Sequence, residues 1–165
     1  MGRNKVSLLL GQRTLLGHVR GTARRSGLPH RVIRRDLIPR CGPVGGVFTA
    51  LATSPGEAVL FLSCDMPFIT ADLLSTLVSK LGRRTQALFV GQNGRVGFPF
   101  LLRRATLPVV ERQLRARRFS LQQLARALRA QTLRLPRARA LESFNINTPA
   151  DLKVARDRWR RAQKR

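Results

Sequence analysis

The chain has 165 residues, 43% of them hydrophobic, which is room for one domain with a real core and too little for two comfortable ones. The formal net charge is +24, from 32 Lys plus Arg against 8 Asp plus Glu, and 28 of the cations are Arg. Composition excludes a disordered chain, and no apolar run is long enough to span a bilayer as a helix.

Two cysteines, Cys41 and Cys64, make neither a disulfide framework nor a zinc site. A field this basic attracts polyanions: nucleotides, phosphorylated cofactors, nucleic acid or an acidic partner. The arginines are spread along the chain, however, and a bias of Arg over Lys beside abundant Ala and Leu also follows from genomic composition, which takes the larger share of the explanation. The one dense cluster is the tail, from Arg156 to Arg165.

In chain order, Met1-Gly2-Arg3-Asn4-Lys5 leads into Val6 to Leu10, a short strand. That run is too brief for a signal-peptide segment and Gly11-Gln12-Arg13 interrupts it, so a cytoplasmic protein is expected. Lys5 is either a surface lysine or a compact charge suited to a phosphate. Leu15, Leu16 and Val19 begin a helical face, and Arg31-Val32-Ile33 reads as a scrap of strand. Asp36 then precedes Gly42-Pro43-Val44-Gly45-Gly46, and a helix follows from Val47. Such a glycine loop is either a tight turn or a set of backbone N–H groups open to an anion.

Ala58 to Leu62 is apolar without alternation, the pattern of a strand buried on both faces; a buried helix could share it, but the run is short and Pro67 stops it. It leads to Asp65. At the tip of a central parallel strand a carboxylate is placed where open α/β sheets bind ligands; the alternative is a turn residue. Thr70 caps a helix whose inner face holds Leu73, Leu74, Leu77, Val78 and Leu81, with Gly82 at its end. Gln86 to Val90 and Val96 to Leu102 read as strands, with Pro99 marking an edge or a bulge. Thr106 caps a helix with Pro108 in its first turn, Ser120 caps another, and Thr132 to Leu135 is a further strand. Thr148, Pro149 and Asp151 make a strong helix start, opening a basic helical tail over about 149–165. Asn145 and Asn147, just ahead of it, either read the edge of a heterocycle or satisfy loop backbone.

Taken together, Met-Gly-Arg-Asn-Lys, Asp-x-x-x-x-x-Gly-Pro-x-x-Gly, Cys-Asp-Met-Pro and Asn-Ile-Asn-Thr-Pro-x-Asp-Leu, in that order, resemble the motif set of the molybdenum cofactor guanylyltransferases, over Met1 to about Leu152. The resemblance implies a single nucleotidyltransferase-like domain over residues 1–165. Its fold would be a three-layer α/β/α Rossmann-like nucleotidyltransferase with a mostly parallel sheet. It implies transfer of GMP from GTP to molybdenum-molybdopterin, with release of pyrophosphate and Mg2+ as cofactor. It also implies roles. Lys5 and Asp65 are catalytic: Lys5 meets the GTP phosphates, and Asp65 holds the metal and the nucleotide. Asp36 lies at the ribose or base end, Gly42, Pro43 and Gly45 shape the nucleotide pocket, and Asn145 and Asn147 lie on the pterin side. Molybdoenzymes or their chaperones would receive the product, with no membrane partner and only non-specific contact with nucleic acid.

The chain departs from that pattern twice. It begins at the last Met-Gly of the family's opening Leu-Ala-Gly-Gly-x-Ser-x-Arg-Met-Gly, so the first strand and phosphate loop are expected to be missing, and with them much of the GTP affinity and turnover. The family also carries a further strand and then an Asn between the first helix and the aspartate matched to Asp36; here that interval is compressed into Gly21 to Arg35, which holds no Asn. A related nucleotidyltransferase with another NTP or acceptor is the nearest alternative. A basic nucleic-acid-binding protein is the alternative of another class. The dispersed Arg and an aromatic content of 5% speak against it, and any such binding should collapse as salt rises.

Overall fold

The structure is a computed structural model, which describes residues 7–92 and 94–163. Lys5 lies outside the described residues. The chain divides into two compact units, one of residues 31–61 and 74–135, the other of 1–30, 62–73 and 136–165.

The first of these carries a four-stranded sheet. Its strands are β3 (Ala58–Phe61), β4 (Ala87–Gln92), β5 (Arg95–Arg103) and β6 (Gln131–Arg134), in the order β3-β5-β4-β6. β5 is antiparallel to both β3 and β4, and β4 is parallel to β6. Three strands thus run one way with β5 set against them. The α/β class and the common strand direction hold, but two of the three ladders are antiparallel. The register is fixed on one face by Phe61, Phe100 and Phe89, which are opposite one another on β3, β5 and β4. Their rings stack at 4.7 and 4.5 Å, the kind of cross-strand pairing that specifies a register. Phe89 and Phe100 pack with Val44, Val47 and Leu51 of α2 (Gly42–Thr53), Val110 of α4 (Leu107–Arg115) and Leu124 of α5 (Leu121–Ala127). Leu88, Val90 and Leu101, which alternate with that set, are buried too. Both faces of β4 and β5 are therefore covered, as a three-layer arrangement requires.

One expectation for these strands is corrected. β3 borders β5 alone among the described residues, and Ala58, Val59 and Leu60 are only half-buried. It is an edge strand of this sheet, not a central parallel one. Of the two readings of Pro99, an edge or a bulge, the bulge holds, on central β5. The register shifts opposite it, between Phe89 and Val90, so the bulge absorbs the missing N–H.

The second unit holds a small hairpin, β1 (Leu9–Leu10) with β2 (Arg13–Thr14), turning at Gly11 with φ +61. Of the strand read over Val6 to Leu10, only Leu9 and Leu10 pair in the described residues, and Arg31 to Ile33 forms no strand. Helix α1 (Leu15–Arg25) follows, capped by Thr14 Oγ1, which accepts from Gly17 N–H at 3.0 Å. Leu10 and Leu15 are packed with Ile146, Leu152 and Ala155, the last two on α6 (Pro149–Gln163). The expected start of α6 is a full capping box. Asp151 N–H donates to Thr148 Oγ1 at 3.1 Å, and Asp151 Oδ2 accepts from the N–H groups of Thr148 and Asn147 at 2.8 and 2.9 Å.

Helix α3 (Ala71–Ser79) begins in this unit and ends in the other. Leu73 N–H donates to Thr70 Oγ1 at 3.2 Å, the expected cap. Leu73, Leu74 and Leu77 are buried, but Val78 is exposed and does not belong to the inner face; the buried stripe is narrower than the apolar residues suggest. The helix ends at Ser79, ahead of Gly82.

Candidate functional site

The predicted residues fall into two groups, one in each unit. The first is built around Asp65. β3 ends at Phe61 and α3 starts at Ala71, and the turn between them carries Ser63, Cys64, Asp65 and Met66. Met66 is buried, and its N–H donates to Ser63 O at 3.4 Å across the turn. Asp65 is fixed at two separate points. Its carbonyl oxygen accepts from Ile146 N–H at 2.9 Å, and its Oδ1 accepts from Ser63 Oγ at 2.6 Å. Ile146 is fully buried, while its neighbours Asn145 and Asn147 are exposed on either side of it. One buried side chain and one main-chain bond thus bring the Asn145–Asn147 stretch onto the aspartate. The same short Asn-Ile-Asn sequence supplies the anchor and the two amides.

The segment leading to these asparagines is also held. Residues Arg137–Ser143 form a 3-10 stretch in which Glu142 takes a two-pronged contact from Arg139, at 2.7 and 3.0 Å, and a hydrogen bond from Thr70 Oγ1 at 2.9 Å. The hydrogen bond to Glu142 raises the Arg139 guanidinium above its ordinary range, so it stays charged throughout. The start of α3 and the approach to the asparagines are thereby tied to one carboxylate. Sequence reading missed Ser63, Glu142 and Arg139. Only Ser63 left a local signal, a hydroxyl two residues before an acid.

The second group surrounds the start of α2. Here the glycine loop is a correction: Gly42, Pro43, Val44, Gly45 and Gly46 are inside α2, not ahead of it. Pro43 suits the first turn, where no N–H is needed, and Gly45 N–H already donates to Cys41 O at 3.2 Å. Few backbone donors are left open to an anion. The glycines serve close approach instead. A Cβ on Gly45 would stand 3.0 Å from both Asp36 Oδ2 and Ile38 O, and one on Gly46 would stand 3.5 Å from Asp36 Oδ1. Asp36 thus lies against the glycine face of α2. Thr49 holds it there: its Oγ1 accepts from Leu37 N–H at 2.8 Å and donates to Gly45 O at 2.9 Å. Arg31 ties the same strap to Ala50 O and Thr53 Oγ1 further along the helix.

Three of the other six carboxylates in the chain are held in ion pairs. Glu111, Glu142 and Asp157 pair with Arg115, Arg139 and Arg160. Asp65 and Asp36 form no ion pair among the described residues, although 28 arginines are available. A hollow of about 470 Å³ lined by Gln113, Arg118, Gln123, Arg126 and Ala127 contains none of the predicted residues. Among the described residues no three His, Cys, Asp or Glu side chains cluster as a metal cage. No helix of the described residues is long and apolar enough to cross a membrane.

Residues 1–135 match the family model of the MobA-like NTP transferase domain. The chain belongs to this family. A molybdenum cofactor guanylyltransferase of Rhizobium leguminosarum is 32% identical over 182 residues, covering 96% of this chain and 86% of its own length. A probable molybdenum cofactor guanylyltransferase of Flavobacterium johnsoniae is 29% identical over 126 residues, covering 76% of this chain and 66% of its own length. Among solved structures, the molybdopterin-guanine dinucleotide biosynthesis protein A of Archaeoglobus fulgidus superposes with a TM-score of 0.73. It is 19% identical and covers 97% of this chain and 92% of its own. Family and α/β nucleotidyltransferase fold agree with the sequence reading, and the enzyme class of the family is the one expected.

Proposed function

We propose that this chain is a cytoplasmic, single-domain enzyme that transfers GMP from GTP to molybdenum-bound molybdopterin. The observation that carries the reading is the bond between Ile146 N–H and Asp65 O, which sets a carboxylate with no ion pair among the described residues beside two exposed amides within one unit. An acceptor phosphate on the pterin cofactor attacks the α-phosphorus of GTP. The bond from that phosphorus to the bridging oxygen of the β-phosphate breaks, and pyrophosphate leaves. The guanine dinucleotide product passes to molybdoenzymes or their chaperones.

The residues fit Mg2+ as the metal. Asp65 offers a hard oxygen donor on a half-buried turn, and Mg2+ is commonly held by one or two carboxylates, with substrate phosphates and water completing the set. When bound, the metal neutralises charge on the transferring phosphate and its leaving group. The chain supplies orientation. Asp65 fixes where the nucleotide phosphates sit, and Lys5 adds a positive charge to them. Asp36, with Gly42, Pro43 and Gly45, bounds the ribose or base end, where the missing Cβ of Gly45 seats the carboxylate against which the ligand rests. Asn145 and Asn147 hydrogen-bond the pterin, whose ring edge presents both donors and acceptors.

The test is a thermal-shift panel of GTP, CTP and ATP with Mg2+, followed by guanylyl transfer to the pterin acceptor. GTP is expected to raise the melting temperature most. Equal shifts from all three nucleotides, or transfer with CTP in preference, would remove the guanylyl assignment.

A further inference from the structure

The side chain of Ser63 has no part in the reaction described above, yet among the described residues it makes the one hydrogen bond to the carboxylate at the centre of it. Ser63 Oγ donates to Asp65 Oδ1 at 2.6 Å, within the short range of an O–H to a charged oxygen. Both residues are half-buried on the same turn, closed by Met66 N–H on Ser63 O at 3.4 Å. The main chain of Asp65 is held separately, by Ile146. What the main chain leaves loose is rotation of the carboxylate about its own axis, a broad two-fold torsion. Ser63 closes that last freedom. Oδ2 then takes no hydrogen bond or ion pair among the described residues, in a chain with 28 arginines. A carboxylate whose one oxygen is engaged by a neutral hydroxyl keeps its full negative charge and presents the other oxygen in a fixed direction.

We infer that Ser63 is the positioning residue for the metal carboxylate: by holding Oδ1 it aims Oδ2 of Asp65 at a divalent cation. This rests on the reading of Asp65 as the metal-binding carboxylate given above. A group that is already oriented pays no ordering cost when the cation arrives, so the hydroxyl should appear as metal affinity and not as fold stability.

The test uses Mn2+ alone as the probe, titrated into the whole chain with GTP present and followed by electron paramagnetic resonance of the free ion. Four proteins are compared: wild type, Ser63→Ala, Ser63→Thr and Asp65→Asn. Ser63→Ala is expected to weaken Mn2+ binding about tenfold, in line with loss of one hydrogen bond to a charged group. Ser63→Thr keeps the hydroxyl and should bind within about twofold of wild type, a rescue that a purely structural serine would not produce. A thermal melt of each variant reports the fold, and Ser63→Cys provides a second hydroxyl-free variant of similar size should the alanine variant fail to fold. Asp65→Asn should lose the ion. If Asp65→Asn binds Mn2+ like wild type, or wild type binds none, the metal reading of Asp65 falls and this inference with it. If Asp65→Asn loses the ion while Ser63→Ala keeps it, or Ser63→Thr fails to rescue, the positioning role alone is overturned.

Discussion

The Asp65 turn and the Asp36 strap each present a carboxylate with no ion pair among the described residues, but they are built in opposite ways. Asp65 is gripped through its own atoms, one bond to its carbonyl and one to its carboxylate. Asp36 is placed by its neighbours: Leu37 N–H is bonded to Thr49, and two glycines leave room for the side chain. The first construction fixes direction and suits a group that must meet a cation at a set angle. The second fixes only position, and suits a wall against which a ligand rests. A change at Asp65 should therefore register in chemistry, and a change around Asp36 should register first in packing.

The largest expected effect follows directly. Asp65→Asn keeps the shape, the main-chain bond from Ile146 and an oxygen for Ser63, but removes the charge. Metal-dependent guanylyl transfer should fall by about a hundredfold or more, the common cost of losing one preorganised charged contact. The melting temperature should barely move. Asp36→Asn, assayed alongside, should cost much less. A larger loss at Asp36 than at Asp65 would reverse the comparison.

Gly45→Ala probes the other region. Alanine is worth about 1 kcal/mol over glycine inside a helix. The new Cβ, however, meets a backbone carbonyl, Ile38 O, and the Asp36 carboxylate, both at 3.0 Å. Neither is the flexible end of a long side chain, and overpacking of this kind costs about 1–3 kcal/mol. The expected net is a loss of up to about 2 kcal/mol in denaturant unfolding, with weakened GTP binding as the strap lifts. Unchanged stability would mean that the strap is loose and Asp36 is not held as described.

What the sequence made readable was whatever depends on near neighbours. The caps at Thr70, Ser120 and Thr148 to Asp151 are local hydroxyl and carboxylate chemistry and are present, whereas the cap expected at Thr106 is not made, its Oγ1 donating back to Arg103 O instead. The apolar runs gave β3 to β5 for the same reason. Pairing was less visible, because a run such as Ala58 to Phe61 says nothing about which strand lies beside it or in which direction. The glycine stretch misled because glycine signals a loop when read alone. Here Pro43 and the buried residues Val44 and Val47 carry the helix through it. Asn145 and Asn147 could be singled out, but not their link to Asp65. That link is one backbone bond between distant parts of the chain, driven by burial of Ile146. Ser63 was overlooked for a simpler reason: a hydroxyl two residues before an acid is a local signal, but a serine at a strand's end has many ordinary uses.

The start of α6 gives a smaller effect on the Asp65 side. Thr148→Ala removes the acceptor for Asp151 N–H while leaving Asp151 on the Asn147 and Thr148 N–H groups. Loss of such a cap costs about 1 kcal/mol. If the asparagine stretch is held mainly by Ile146, transfer should fall only a few-fold while stability drops by that amount. A collapse of transfer comparable to that of Asp65→Asn would show instead that the cap, and not the Ile146 bond, keeps the amides in place.

The smallest effect is expected one residue from the largest packing effect. Gly46 is half-buried in the same helix, and its added Cβ would meet Asp36 Oδ1 at 3.5 Å, an ordinary van der Waals contact. Gly46→Ala should then gain part of the helix preference, about 0.5–1 kcal/mol, by restricting the unfolded chain without displacing the strap. The opposite signs at adjacent glycines are what distinguish the two explanations of this sequence. If the glycines are there because the backbone must bend, both alanines should destabilise. If Gly45 is there to seat Asp36 and Ile38, only Gly45→Ala should. Paired urea unfolding curves of the two variants read this out. A loss at Gly46 as large as that at Gly45 would mean that the helix at residues 42–46 is strained, and that Asp36 has no particular claim on the glycine face.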